Sequence, residues 1–383
     1  MHRLTIQKKF NKLKKKFAIK KKALSKDKAL LLERNPMEKE NIERLSLLST
    51  SMGVSSLEKD VVKVLKAAYE GLADEFVYDR LGSIFAVKKS KNPQAKTLMI
   101  ASCLDEIGLM VSANNQDGTL QFITLEGISP ASLLHQKVKV YTRDHVAYTG
   151  VVACRNVNFM DDAASSVKLD QLVIDMGDAA IASLFLPGDL AMIHGDFEML
   201  NDHVAMGKAL NHRVCCEAGI EILENLKDVE LDYNLAVGCI AQSIVGFRGT
   251  MTATYVVKPD TALVLCGFDT ANGKPKIERG KGIVMANQDR QMLPSQRLLN
   301  DLRSKLSAHQ PVMGVAGNDG SFIHKTLKGC PSVALGVALS HTGSSHVMVD
   351  LNDVDVLVDE ISNYCKQLTS KEIEAFGFGV YYD

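Results

Sequence analysis

The feature that most constrains the fold is a change of texture in the middle of the chain. From about residue 111 to 202, short alternating apolar and polar segments are separated by Gly, Asp and Asn turns, a pattern typical of a small all-β barrel or sandwich. The flanks instead alternate apolar strands with amphipathic helices, as over 38–51 and 352–369. We therefore predict one α/β domain, residues 37–110 and 203–383, with an inserted β domain, residues 111–202.

The size and composition of the chain allow a large folded core. It has 383 residues, of which 46% are hydrophobic, so one large domain or two ordinary ones fit the length. No apolar run reaches the roughly 18 residues of a membrane-spanning helix, and the N-terminal lysines are not followed by the apolar stretch of a secretory signal. The eight cysteines lack CxxC spacing, so we expect reduced thiols in a cytoplasmic protein.

Residues 1–36 differ from the rest of the chain in charge. They contain 13 of the 45 basic residues and 2 of the 45 acidic ones. The remainder has 43 acidic and 32 basic residues, which argues against nucleic acid as a partner of the body. Three interpretations of residues 1–36 stay open: a basic amphipathic helix that contacts an anionic membrane surface or RNA, a disordered extension, or a segment that is not translated because synthesis starts at Met37.

Six motifs in the body occur in a fixed order. They are SMGVSSLEKDV, YDRLGSIFAVKK, LDEIG at 104–108, GKAL before Arg213, the frame of Gln242, Val245-Gly246 and Arg248-Gly249, and GNDG at 317–320. Their order and spacing resemble the tetrahedral aminopeptidases and their glutamyl aminopeptidase and so-called endoglucanase relatives. The resemblance covers about residues 40–370 and implies a three-layer α/β/α domain that carries the inserted β domain.

The resemblance also implies a reaction and a metal centre. Members of this family hydrolyse N-terminal residues from peptides with two divalent metals, usually zinc or cobalt. A water that bridges the ions becomes hydroxide near neutral pH, and a Glu carries its proton to the leaving amine. The family's ligands are a His, a bridging Asp, a Glu, a second Asp and a late His, and the catalytic Glu directly precedes the ligand Glu. The family also builds large oligomers, partly through the inserted β domain.

The matching positions of this chain carry different residues. In the order of the ligands they are Cys103, Asn211, Ile244, Cys266 and Gly343, and Ser243 stands in place of the catalytic Glu. Asn cannot supply an anionic bridge, Ile has no donor atom, and Ser cannot shuttle a proton near neutral pH. We therefore predict a pseudoenzyme without a cofactor that has lost peptidase activity. Among the family's other site residues, Asp105, Arg213 and Arg248 are retained.

Two cysteines leave alternatives open. Cys103 and Cys266 match positions that face the same metal in the family, so a remade site could hold a single zinc between these thiolates and His212 or His346. A redox-linked disulfide is a second interpretation, and it needs α-carbons within about 7 Å. The third is a pair of buried thiols that fill the space of a lost metal.

Two functions from different classes follow. The first is a non-catalytic subunit that forms a homo-oligomer, or a hetero-oligomer with an active relative, and that binds peptides or regulates its partner. The second is a working metallo-aminopeptidase with a remodelled metal site that uses Cys103 and Cys266. Under the first function, we expect the retained glycines and arginines to line a cleft that still holds a peptide.

Overall fold

The computed structural model describes residues 37–154 and 167–378. The basic segment 1–36 lies outside these ranges, so its three interpretations stay predictions. Within the described ranges, no helix combines the length and the apolar character that crossing a membrane requires.

The strands belong to a large sheet and a closed barrel. Their bounds are β1 Glu75–Tyr78, β2 Ile84–Lys88, β3 Thr97–Cys103, β4 Gly108–Asn114, β5 Thr119–Thr124, β6 Lys137–Tyr141, β7 Ala147–Cys154, β8 Leu172–Asp175, β9 Leu190–Ile193, β10 Glu198–Met199, β11 Val204–Gly207, β12 Asn234–Ile240, β13 Thr261–Asp269, β14 Ile283–Asp289, β15 His309–Val315, β16 Ser332–Ser340 and β17 Val347–Asp350. In the described residues, β4–β9 form the barrel and the other strands form the sheet.

The helices range from single turns to long amphipathic segments. Their bounds are α1 Lys39–Thr50, α2 Lys59–Tyr69, α3 Pro130–Leu133, α4 Ala179–Ala182, α5 Leu210–Leu226, α6 Arg248–Val257, α7 Gln296–Lys305, α8 Gly320–Ile323, α9 Leu351–Gln367 and α10 Ser370–Ala375. Thr369 begins α10 with a capping box. Its hydroxyl accepts a hydrogen bond from the Glu372 amide, and the Glu372 carboxylate accepts one from the Thr369 amide.

The large sheet is the middle layer of a three-layer domain. Its order is β1-β2-β12-β3-β13-β16-β17-β11-β10, with β14 between β16 and β15, and β12, β3, β13 and β16 run parallel. These central strands are apolar throughout because helices cover both faces. Leu45, Leu223 and Ile361 pack α1, α5 and α9 on one face, and Ala253 and Ile323 pack α6 and α8 on the other. The predicted α/β/α arrangement is confirmed.

The inserted β domain is a closed six-stranded barrel with its own core. The order of its strands is β4-β5-β8-β7-β6-β9, and alternate residues such as Leu109, Val138 and Ile174 fill the interior. The prediction of an all-β insertion is confirmed. The barrel strands begin at Gly108 and end at Ile193, and the division at 111–202 stays a prediction.

A buried ion cluster ties the first helix to the sheet and to α5. The Glu106 carboxylate accepts hydrogen bonds from Lys208 Nζ at 2.7 and 2.9 Å and from the Gly53 amide at 3.0 Å. Arg213 Nη2 lies 3.5 Å from Glu106 Oε1, and Arg213 Nε donates to the Leu48 carbonyl. All three charged side chains are buried, so one carboxylate offsets two cations. Burial lowers the pKa of Lys208, and its contact with Glu106 opposes that shift.

We expect Glu106→Gln to lower the free energy of unfolding by about 3–5 kcal/mol, because Lys208 and Arg213 become uncompensated buried charges. Urea denaturation measures the change. The control is Glu230→Gln, which removes an exposed ion pair with Lys91 and should cost about 0–1 kcal/mol. Equal losses in the two variants would contradict the role assigned to Glu106.

Helix α5 also carries buried carboxyl groups whose protonation differs between the folded and unfolded chain. Glu217 is fully buried beside Arg44, while Glu221 is 9% exposed and its Oε1 has no hydrogen-bond partner in the described ranges. Burial raises the pKa of Glu221 to about 8, with the negative charges of Glu217 and Asp355 adding to the shift. Burial also raises the pKa of Glu217 to about 7, although Arg44 opposes it.

We expect the free energy of unfolding to fall as the pH rises from about 5 to about 9. In this window the folded chain keeps a proton on Glu221 that the unfolded chain has released, so stability is lost as the pH passes the folded pKa. Glu221→Gln, a neutral side chain at every pH, should remove roughly 2–4 kcal/mol of the decrease. Urea titrations at both pH values measure it. The control is Glu43→Gln, an exposed site, which should leave the pH dependence of the unfolding free energy unchanged. If Glu221→Gln shows the same pH dependence as the unmodified chain, Glu221 is not its source.

Candidate functional site

A cavity of about 330 Å³ opens where β3, β12 and β13 reach their carboxyl ends. Ligands bind at such edges in open α/β sheets because the loops that follow the strands converge there. The predicted positions that line this cavity are Cys103, Asn211, His212, Ser243, Ile244, Cys266 and Gly343. The structure thus brings together the six residues that the sequence resemblance matches to the family's ligands and catalytic Glu.

The strand register places Cys103 beside Cys266. Leu265 of β13 pairs with Ser102 of β3 in parallel register, so Cys266 and Cys103 are the next residues along the two strands. Both are free thiols, and burial raises the pKa of each well above its ordinary value. Cys103 Sγ donates to Asp105 Oδ1 at 3.3 Å. The hydrogen bond to Asp105 holds the Cys103 side chain against the end of β3.

The side chains present do not fit a two-metal centre. Asn211, Ile244 and Gly343 offer neither an anionic bridge nor a full donor set. In the described ranges, no three His, Cys, Asp or Glu side chains come together in a group that could hold a metal ion. His212 lines the cavity with Cys103 and Cys266, but His346 does not. The Nδ1 atom of His346 instead lies 2.8 Å from the Ser345 hydroxyl oxygen.

Asp105 holds the loop after β12 that carries Ser243 and Ile244. It is fully buried and accepts hydrogen bonds from the Ser243 amide at 2.9 Å, the Ile244 amide at 3.2 Å and the Ser55 hydroxyl at 2.5 Å. Burial raises the pKa of Asp105, and these donors oppose the shift. The carboxylate therefore fixes the loop after β12 against the end of β3, which sets the wall of the cavity.

Asp319 is a buried carboxylate of the cavity that the sequence interpretation did not single out. Its Oδ1 accepts from the Ser243 hydroxyl at 2.8 Å and from the Thr250 hydroxyl at 2.5 Å. Burial raises the pKa of Asp319 to about 6, although both hydroxyls oppose the shift. The GNDG motif contained the signal, because it is one of the six motifs on which the family resemblance rests. Only the fold shows that this aspartate meets Ser243.

The retained arginines lie elsewhere. We expected Arg213 and Arg248 in the cleft, but neither is part of its lining. Arg213 turns into the buried cluster around Glu106. Arg248 is exposed at the start of α6, where its Nε donates to the Val245 carbonyl at 3.1 Å. The described lining holds carboxylates instead, because Glu126, Asp269 and Asp319 reach it from three separate segments.

Comparison with known proteins agrees with this fold. The FrvX protein of Escherichia coli K12 is 26% identical over 356 residues, which cover 88% of this chain and 98% of that protein. The TET aminopeptidase of Thaumarchaeota archaeon SCGC AB-539-E09 is 28% identical, with a TM-score of 0.82 over 89% of this chain and 100% of that one. The Pyrococcus horikoshii TET1 peptidase is 24% identical, with a TM-score of 0.77 over 86% and 100%.

The family assignment follows from the match to a whole-family model. The model of the M42 glutamyl aminopeptidases matches residues 82–359, which include most of the large sheet, the barrel and every predicted site residue. The resemblance inferred from the six sequence motifs is thereby confirmed. This chain belongs to the M42 glutamyl aminopeptidase family.

Proposed function

We propose that this M42 family chain has lost aminopeptidase activity and acts as an oligomeric subunit that binds peptides or regulates an active relative. One observation carries the proposal. A cavity lies at the carboxyl ends of β3, β12 and β13, and the residues on its wall that the sequence resemblance matches to family ligands differ in type from those ligands. In this proposal, the chain keeps the family fold and lacks the side chains that hydrolysis requires.

The loss of activity follows from the replaced functional groups. A general base contributes roughly 10²–10⁴-fold to a hydrolytic rate, and the Ser243 hydroxyl is already engaged with Asp319 at 2.8 Å. Two divalent metals need anionic oxygen or neutral imidazole donors at fixed positions. Ile244 and Gly343 provide no side-chain donor at all, and Asn211 provides a neutral one. These groups provide neither the general base nor the metal ligands that aminopeptidase hydrolysis uses.

Peptide binding is supported by the retained cavity. A volume of about 330 Å³ falls within the usual range of ligand pockets, roughly 300–1,000 Å³. Ile107, Phe247 and Leu265 give the wall an apolar surface for a side chain. The barrel contributes to the wall through Glu126 and Gly127, so the cleft is formed by both parts of the molecule.

Assembly into oligomers is the second part of the proposal. The Pyrococcus horikoshii TET1 peptidase can assemble into a tetrahedron or a large octahedral shell. Its fold matches that of this protein over 86% of this chain and 100% of its own. We extend assembly to this chain by that likeness, either with itself or with an active relative. A subunit without turnover could then change how peptides reach its partners.

We expect the purified chain, prepared without a histidine tag or added metal, to carry no stoichiometric metal and to release no product from aminoacyl substrates. The reason is the missing donor set at the family positions. Elemental mass spectrometry and a fluorogenic aminopeptidase assay measure the two quantities. A Cys103→Ser variant, assayed in parallel, separates the remaining alternatives.

Three outcomes would contradict this expectation in different ways. Two metals per chain with turnover would mean that other residues form an ordinary aminopeptidase centre. One zinc per chain that disappears in Cys103→Ser would favour a remodelled metallohydrolase built on Cys103 and Cys266. Turnover that survives in Cys103→Ser would eliminate that remodelled site.

We expect short peptides to bind the chain and to be recovered intact. The cavity keeps its apolar wall and hydrogen-bonding groups while the hydrolytic groups are gone. Calorimetry measures the binding, and mass spectrometry of the recovered peptide measures cleavage. Absence of peptide binding, together with no association with itself or with active relatives in native mass spectrometry, would remove the proposal.

A further inference from the structure

Two buried cysteines meet where helix α5 packs on the large sheet. Cys216 belongs to α5 and Cys239 to β12, both side chains are fully buried, and both are free thiols. The Cys239 thiol donates a hydrogen bond to the Cys216 sulfur. The sulfurs of a disulfide lie about 2.05 Å apart, so two sulfurs already in hydrogen-bond contact need a short approach to form one.

Hydroxyl groups surround this pair. The Ser102 hydroxyl donates to the Cys216 sulfur at 3.7 Å and lies 3.2 Å from the Cys239 sulfur. The Tyr69 hydroxyl lies 3.9 Å from the Cys239 sulfur. All four side chains are buried, and Cys216 and Cys239 belong to the large apolar core. A cysteine that only fills space behaves as a small hydrophobe, whereas donors of this kind stabilise a sulfur that becomes an anion.

The two sulfurs differ in their tendency to ionise. The hydrogen bond from Cys239 lowers the pKa of Cys216, burial opposes that shift, and the charge of Arg213 adds to it. Burial raises the pKa of Cys239, and its contact with Cys216 adds to that shift. The pair therefore combines one sulfur that favours the nucleophilic thiolate with a neighbouring thiol that can close a disulfide.

The pair lies directly behind the wall of the cavity. Cys216 Sγ donates to the main-chain carbonyl of Cys103 at 3.4 Å, and Cys103 lines the cavity. The main chain at the end of β3 thus forms the layer between the cavity and Cys216. A molecule as small as hydrogen peroxide can cross this layer when the chain opens locally.

We propose that Cys216 and Cys239 are a modification site at which hydrogen peroxide forms a reversible disulfide between α5 and β12. The Cys216 sulfur attacks one peroxide oxygen, the O–O bond breaks, and the released hydroxide takes the Cys216 proton to become water, which leaves a sulfenic acid. The Cys239 sulfur then attacks the sulfenic sulfur, the S–O bond breaks, and the hydroxyl leaves with the Cys239 proton as a second water. Two thiols and one peroxide thus give one disulfide and two waters, and a dithiol reductant reverses the change.

The position of this bond connects its state to the cavity. Asn211 and His212 lie just before Cys216 on α5, while Ser243 and Ile244 follow the end of β12. All four of these neighbours line the cavity. A covalent bond between α5 and β12 fixes the spacing of the two elements that carry them. The site does not depend on what the cavity binds.

The experiment is peptide mapping of the full chain after exposure to hydrogen peroxide. The chain is reduced, freed of reductant and treated with peroxide, and its remaining thiols are blocked with N-ethylmaleimide. Trypsin cleaves after Arg213, Lys227 and Arg248, so the fragments 214–227 and 228–248 carry the two cysteines. We expect mass spectrometry to find these fragments joined, with the mass of their sum less two hydrogens, and separated again by dithiothreitol.

A matched pair of variants identifies the cysteine on α5. Cys215 precedes Cys216 in the same fragment and is also buried. Cys215→Ala should still give the joined fragments, because both proposed partners remain, whereas Cys216→Ala should lose them. If Cys216→Ala does not fold, fragmentation of the joined peptides from the unmodified chain assigns the bonded sulfur instead.

Several results overturn the site. They are the absence of joined fragments from the folded chain, a bond made through Cys215, and oxidation of Cys103 and Cys266 while Cys216 and Cys239 still take up N-ethylmaleimide. The same treatment in urea is the control for the fold. As much joined product from the unfolded chain as from the folded one would show that the packed pair is not the cause, and would overturn the site as well. Peptide binding and hydrolysis, which decide the proposed function, are measured separately.

Discussion

The parallel pairing of β12, β3 and β13 determines where every side chain of the candidate site can lie. Ile240 pairs with Cys103 and Leu265 with Ser102, so the three strands end at one edge and their following loops meet there. A slip of one residue would turn each side chain to the opposite face of the sheet. Asp105 then fixes the loop after β12 through the Ser243 and Ile244 amides. The cavity is thus a consequence of register, held in place by one carboxylate.

The sequence predicted the fold and named most of the residues that meet at the candidate site. Apolar runs bounded by turn residues predicted the central strands, and a change from long helices to short alternating segments predicted the barrel. The resemblance matched Cys103, Asn211, Ser243, Ile244 and Cys266 to positions of one family metal centre, and all five line one cavity. These predictions succeed because they depend on strand ends and local periodicity.

The failures concern the direction in which single side chains point. Arg213 was expected in the cleft, but Glu106 and Lys208 form a buried cluster that draws it inward. His346 was considered as a zinc ligand, yet it is not part of the cavity lining, and its ring nitrogen lies beside the Ser345 hydroxyl. Asp319 was passed over because its partners, Ser243 and Thr250, are 76 and 69 residues away along the chain. Contacts of this separation depend on tertiary packing that no local pattern contains.

The shared wall of the cavity has a consequence for regulation. Glu126 and Gly127 belong to the barrel, while Asp319 and Cys266 belong to the α/β domain. A ligand that touches both walls favours one relative position of the two parts, and any neighbour that fixes the barrel favours the ligand by the same factor. Reciprocity of this kind requires no bond to be broken. In the proposed non-catalytic subunit, the cleft can therefore act as a sensor that couples ligand occupancy to contacts with neighbouring subunits.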